Sequence, residues 1–196
     1  MKKVISKKVK VIGLTGPIGA GKDEVARALK RRGAYIIDAD SLAHKLYAPQ
    51  SPLWHELVKA FGSRILMRGG RINRKKLGEL VFADRKKLAL LDRLVHPSLK
   101  EAIVKELRAD RLTVINAAVL KEIGLLPLVD EVWLVTAPQG LRLKRLVKKG
   151  LTATEARRRL RSQASAREYA GIADVVINNT GTLKQLNGKI QASLQF

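Results

Sequence analysis

The chain has 196 residues, 46% of them hydrophobic and 29% charged, and no cysteine, which excludes a disulfide framework or thiolate metal site and leaves enough chain for a self-supporting core. No apolar run approaches the ~20 residues that a membrane span needs, and Met1 to Lys10 lacks the continuous apolar stretch of a secretory signal, so an uncleaved cytoplasmic protein is expected. With 39 basic against 17 acidic residues the net charge is +22, a field that draws polyanions: an anionic substrate, nucleic acid, or neither if the charges are spread over solvated faces.

In chain order, Val9–Thr15 is a short apolar run ended by Gly16 and reads as a buried strand. Lys22–Arg32 has helical spacing, with Val25, Ala28 and Leu29 on one face and Gly33 as a stop. Tyr35–Asp38 is a second short strand. From Ser41 to Asp110 the pattern is mostly helical, with Leu57, Phe61, Leu77, Leu80 and Val81 at helix spacing and a turn at Met67–Arg71. Thr113–Ala117 and Val132–Thr136 are strand-like. A basic helix at Leu141–Lys149 is broken by Gly150, and Thr152 caps a further helix at Ala153–Arg161. Val175–Asn178 is a last strand and Leu183–Leu194 a last helix; Trp54 and Trp133 read as packing residues. This alternation predicts an α/β fold: three α/β/α layers around a mostly parallel five-stranded sheet.

The sharpest motif is Gly16-Pro17-Ile18-Gly19-Ala20-Gly21-Lys22-Asp23, a G-x-x-x-x-G-K phosphate loop between a strand and a helix. Glycines let backbone N–H groups fold around phosphate oxygens, and the next helix adds the positive end of its dipole. Lys22 reaches the β- and γ-phosphates of ATP. Gly16, Gly19, Ala20, Gly21, Lys22, Asp23 and Glu24 are therefore candidate nucleotide contacts. The loop ends in Asp23 where Ser or Thr usually holds Mg²⁺. Its carboxylate is also a hard oxygen donor and so a candidate metal ligand. The alternative is that Asp23 and Glu24 only stabilise the first helical turn.

Asp38 and Asp40 follow the second strand. Ligands of open α/β sheets sit at the carboxyl ends of strands, so these acids can face a γ-phosphate. A kinase acting on a hydroxyl needs a group that orients it and takes its proton, and Asp40 can do this. The alternative is that Asp40 caps a helix starting at Ser41.

Taken together, these motifs resemble the dephospho-CoA kinase family. Ile12-Gly13-Leu14-Thr15-Gly16 is similar to that family's opening. Asp38-Ala39-Asp40 matches its D-A-D motif, with Ala43-His44 following. Leu80-Val81-Phe82, His96-Pro97, Gln163 and the run Ala173 to Asn179 are similar to its later signatures, so the likeness covers about residues 9–185. It departs at Asn116-Ala117-Ala118-Val119-Leu120-Lys121-Glu122, where the family has D-x-P-L-L-F-E.

The resemblance implies a P-loop kinase of one domain, with a core at about 9–40 and 111–196. A helical substrate-binding region would lie at about 41–110 and a helical lid at about 141–165. It implies transfer of the γ-phosphoryl of ATP, with Mg²⁺, to the ribose 3′-hydroxyl of dephospho-CoA, by a monomer or weak homo-oligomer with no membrane partner. Asp40 would be the base, Lys22 would hold phosphates and Arg145 would approach the transferring group. Asn179 would lie near the adenine, and Thr15, Asp38 and His96 would line the acceptor side. The segment Arg142 to Arg161 carries nine basic residues and one acid, and Arg145 and then Arg159 are its candidate contacts. Two alternatives remain at this stage. One is another small nucleoside or nucleotide kinase; the other is a non-catalytic P-loop protein associated with nucleic acid.

Overall fold

The computed structural model describes residues 10–161 and 166–194. Val9 and Gln163 lie outside the described residues. Five strands among those described form one sheet: β1 (Val11–Thr15), β2 (Tyr35–Asp38), β3 (Thr113–Asn116), β4 (Glu131–Thr136) and β5 (Val175–Asn178). The order is β2-β3-β1-β4-β5, and β1/β3, β1/β4 and β4/β5 pair in parallel. The central strands are buried along nearly their full length, as parallel strands covered on both faces are, which is why they read as apolar runs rather than alternations.

The chain divides into two compact units. The first comprises the chain up to Ile37, Arg108–Leu120 and the chain from Leu125 onward; the second comprises Asp38–Leu107 and Lys121–Gly124. In the first, α1 (Lys22–Lys30) lays Val25, Ala28 and Leu29 against Ile12, Leu14, Val114 and the fully buried Trp133. α9 (Leu183–Leu194) adds Leu186 and Ile190 to the same core. α1 ends two residues before the expected Arg32. The turn through Gly33, at φ +91°, returns the Ala34 N–H to the Leu29 carbonyl, a closure that only a left-handed residue makes cheaply.

α6 begins at Gln139, earlier than Leu141, and runs to Lys148; α7 is Ala153–Arg161. Leu146, Ala156 and Leu160 hold these two together. Thr152 does cap α7: its Oγ1 accepts the Glu155 N–H at 3.2 Å while a Glu155 carboxylate oxygen accepts the Thr152 N–H at 3.0 Å. The short α8 (Ala166–Ala170) precedes β5.

The second unit is helical: α2 (Ala39–Leu46), α3 (Pro52–Phe61), α4 (Arg74–Phe82) and α5 (Arg85–Glu106). Leu53, Trp54, Leu57, Phe61, Leu77 and Val81 form its core. Ser51, Asn73 and Asp84 cap α3, α4 and α5 through side-chain oxygens. The turn near Gly70 closes with the Met67 N–H on the Arg71 carbonyl, and Trp54 anchors it by donating Nε1–H to the Gly70 carbonyl at 2.7 Å. α5 continues through Pro97, which removes one N–H from the helix ladder without ending it. No described helix is long and apolar enough to cross a membrane.

Candidate active site

The first unit's site grows from the carboxyl end of β1. Thr15, fully buried, fixes its hydroxyl by donating to the Ala118 carbonyl at 3.1 Å. The chain then turns through Gly16–Gly21 into α1. Three glycines have positive φ: Gly16 at 143°, Gly19 at 77° and Gly21 at 101°. Each also faces a different neighbour. A Cβ on Gly16 would overlap the Val135 carbonyl, one on Gly19 would come within 2.9 Å of the Arg142 carbonyl, and one on Gly21 would overlap the Asn179 side-chain amide. Backbone conformation and space therefore both demand glycine here.

Inside the loop the Ala20 N–H donates to the Pro17 carbonyl at 3.1 Å. Gly21 is the N-cap residue of α1, and no side chain caps this helix. The Glu24 N–H turns back to the Gly21 carbonyl at 3.1 Å, while the Lys22 and Asp23 N–H groups have no acceptor among the described residues and remain available to an anion, with the helix dipole behind them. Lys22 is half-buried at the first position of α1, and no hydrogen bond or ion pair among the described residues holds its ammonium. Asp23 is exposed in the same turn. Glu24 is ion-paired with Arg27, so one of the two acids expected in this turn is already matched by a cation.

Arg145 of α6 and Asn179, just beyond β5, meet the loop from behind. The Arg145 guanidinium donates to the carbonyls of Gly19 (3.3 Å), Ala20 (3.1 Å) and Asn179 (2.9 Å). The buried Asn179 side chain donates to the Ala20 carbonyl at 2.8 Å. Arg159 is exposed on α7.

Asp38, Asp40 and His96 belong to the second unit. Here the capping expectation needs correcting: α2 starts at Ala39 rather than Ser41, and Asp38 caps it, accepting the Ser41 N–H at 2.8 Å. Asp40 is left exposed in the first turn with no capping duty. One turn on, His44 accepts from Arg74 of α4, with Nδ1 at 2.6 Å, and its ring stands edge-on to Tyr47. Burial, then the Arg74 charge, hold the His44 pKa below its ordinary value against the opposing pull of Asp40 and Asp38. His96 faces Asp92 at 3.6 Å across one helical turn. Burial raises the Asp92 pKa, with His96 opposing.

Arg74 cannot be picked out from sequence as a partner of His44, because it stands in a run of surface cations. Nor could it show Arg142 pressing on Gly19, since that contact is made by main chain.

Comparison with known proteins agrees with this geometry. A family model described as dephospho-CoA kinase matches residues 10–185. A dephospho-CoA kinase of Streptomyces avermitilis is 42% identical over 184 residues, covering 91% of this chain and 89% of its own. Among solved structures, a Thermus thermophilus protein superposes with a TM-score of 0.81 at 32% identity, covering 96% of this chain and 97% of its own. The dephospho-CoA kinase of Campylobacter jejuni shares the fold, with a TM-score of 0.69 at 24% identity over 94% of this chain and 95% of its own. A parallel sheet with its phosphate loop after β1, matched from β1 into α9 by that family's model, leaves one assignment: the chain belongs to the dephospho-CoA kinase family.

Proposed function

We propose that the chain transfers the γ-phosphoryl group of ATP to the ribose 3′-hydroxyl of dephospho-CoA, with Lys22 and Asp40 as its principal reacting-site residues. The observation that carries this reading is the glycine-bounded N-terminus of α1, without a side-chain cap, beside an ammonium that is unpaired among the described residues: the makings of a triphosphate receptor. Family membership supplies the acceptor.

In the proposed reaction the 3′-oxygen attacks the γ-phosphorus while the bond to the ADP oxygen breaks. The hydroxyl proton passes to the Asp40 carboxylate. Lys22 offsets charge on the β- and γ-phosphate oxygens as that bond lengthens. Thr15, Asp38 and His96 are assigned to the acceptor side. Arg159, exposed on α7, is assigned with them to the substrate.

Mg²⁺ fits the donor chemistry of the loop. It takes hard oxygen ligands and is commonly held by one or two carboxylates together with substrate phosphates, and Asp23 offers a carboxylate in the turn that receives the phosphates. When bound, the ion would neutralise phosphate charge. Asp23→Ala, which leaves no oxygen donor at this position, should shift the Mg²⁺ concentration for half-maximal rate by about tenfold or more if the carboxylate is a ligand, measured by titrating Mg²⁺ at fixed ATP. An unaltered Mg²⁺ dependence would leave Asp23 with only its role in the helix turn.

The assignment as a whole is tested by ADP release from purified protein with ATP and Mg²⁺. Dephospho-CoA should stimulate release far above the rate with adenosine or AMP. Equal rates with the three acceptors would overturn the substrate assignment.

A further inference from the structure

Two successive carbonyls of the phosphate loop are held by side chains from distant parts of the first unit. The Ala20 carbonyl accepts two hydrogen bonds, from Arg145 at 3.1 Å and Asn179 at 2.8 Å, and the preceding Gly19 carbonyl accepts a third, from Arg145 at 3.3 Å. The donors are also tied to each other, because Arg145 donates to the main-chain carbonyl of Asn179 at 2.9 Å. Asn179 is anchored in turn by its own N–H, which donates to the Thr136 carbonyl at the end of β4 at 2.8 Å. A closed circuit of hydrogen bonds thus runs from the sheet through Asn179 and Arg145 to two successive carbonyls of the loop.

A trans peptide is planar, and its N–H points opposite to its C=O. Fixing the Ala20 carbonyl on the Arg145 and Asn179 side therefore fixes the Gly21 N–H in the opposite direction, away from these two side chains. Gly21 needs this control. Its φ of 101° is open to glycine alone among common residues, and a glycine peptide left to itself can turn over at little cost. Orientation is the whole value of a main-chain anion site: an amide turned around presents a carbonyl oxygen to the phosphate and repels it.

We propose that Arg145 and Asn179 form a clamp on the carbonyl side of the phosphate loop, holding the Ala20–Gly21 peptide so that the Gly21 amide is presented to a bound phosphate. Both are then positioning residues. This differs from the parts the resemblance implies, where Arg145 approaches the transferred phosphoryl group and Asn179 lies near the adenine. The inference rests on the reading of the loop as a triphosphate receptor.

The two assignments differ in which ligand feels the change. A clamp acts on phosphate binding and is indifferent to the base. The test measures binding of ATP and of inorganic tripolyphosphate to wild type, Arg145→Ala, Asn179→Ala and the double variant, with hydrogen exchange of the segment 17–24 in the ligand-free proteins. Each single variant should lose about tenfold in affinity for both ligands alike. The double variant should lose little more than the weaker single, since both side chains act through one peptide. Loop exchange should quicken in all variants, and Arg145→Lys, which keeps the charge but not the fork, should recover only part of the loss.

Loss of ATP affinity with tripolyphosphate affinity intact would overturn the clamp and return the two residues to the nucleoside end. Unchanged loop exchange would overturn it as well. A wild type that binds neither ligand would sink the kinase reading of the loop, and loop exchange would still decide the clamp. If the buried Asn179→Ala does not fold, Arg145→Ala and Arg145→Lys carry the same comparison.

Discussion

Lys22→Ala should lower kcat/KM for ATP by about 10²–10³-fold, the scale seen when one preorganised donor to developing charge is removed. The ammonium stands at the first position of α1 and is neutralised by no described carboxylate, so nothing else in the loop replaces it. Its half-buried stem packs little, and unfolding free energy should move by only about 0.5 kcal/mol. Steady-state kinetics against ATP, paired with a denaturant melt, separates the two. Near-normal turnover in a folded Lys22→Ala protein would remove the lysine from phosphoryl transfer.

The second large effect is expected at Asp40. Asp40→Asn keeps the shape of the side chain and removes its ability to take a proton, so kcat should fall by about 10²–10⁴-fold while the affinity for ATP stays close to wild type. The structure makes this substitution readable. Asp38, not Asp40, caps α2, so the loss of the Asp40 charge should cost only about 0.3–1 kcal/mol through the helix dipole. Asp38→Asn is the useful contrast, since it retains an N-cap residue and should affect folding and turnover less. A kcat unchanged in Asp40→Asn would assign proton transfer to solvent or to another group.

The elements that sequence reading found well are those specified locally. Thr152 and Glu155 sit three residues apart and cap each other in the structure, and Gly33 closes α1 through a left-handed turn. β1, β3 and β4 were legible because strands buried on both faces are apolar throughout. Errors came where local and tertiary demands differ. Two carboxylates at Asp38 and Asp40 compete for one cap, and only the backbone of Asp38, extended at φ −90° and ψ 107°, selects between them.

The phosphate loop itself was legible as a motif, because chemistry and backbone both force its glycines. Its support was not. Arg145 is the first candidate among nine cations, but no spacing rule links it to Ala20, 125 residues away in sequence.

The crowding around Gly16, Gly19 and Gly21 bears on how loss of activity would show in descendants of this gene. Since β4, α6 and Asn179 each press on one of these positions, a lineage released from selection for catalysis would still keep the three glycines merely to fold. Their persistence is therefore a poor witness to a working enzyme. Decay would surface first at Lys22 and Asp40, which the architecture leaves free to drift.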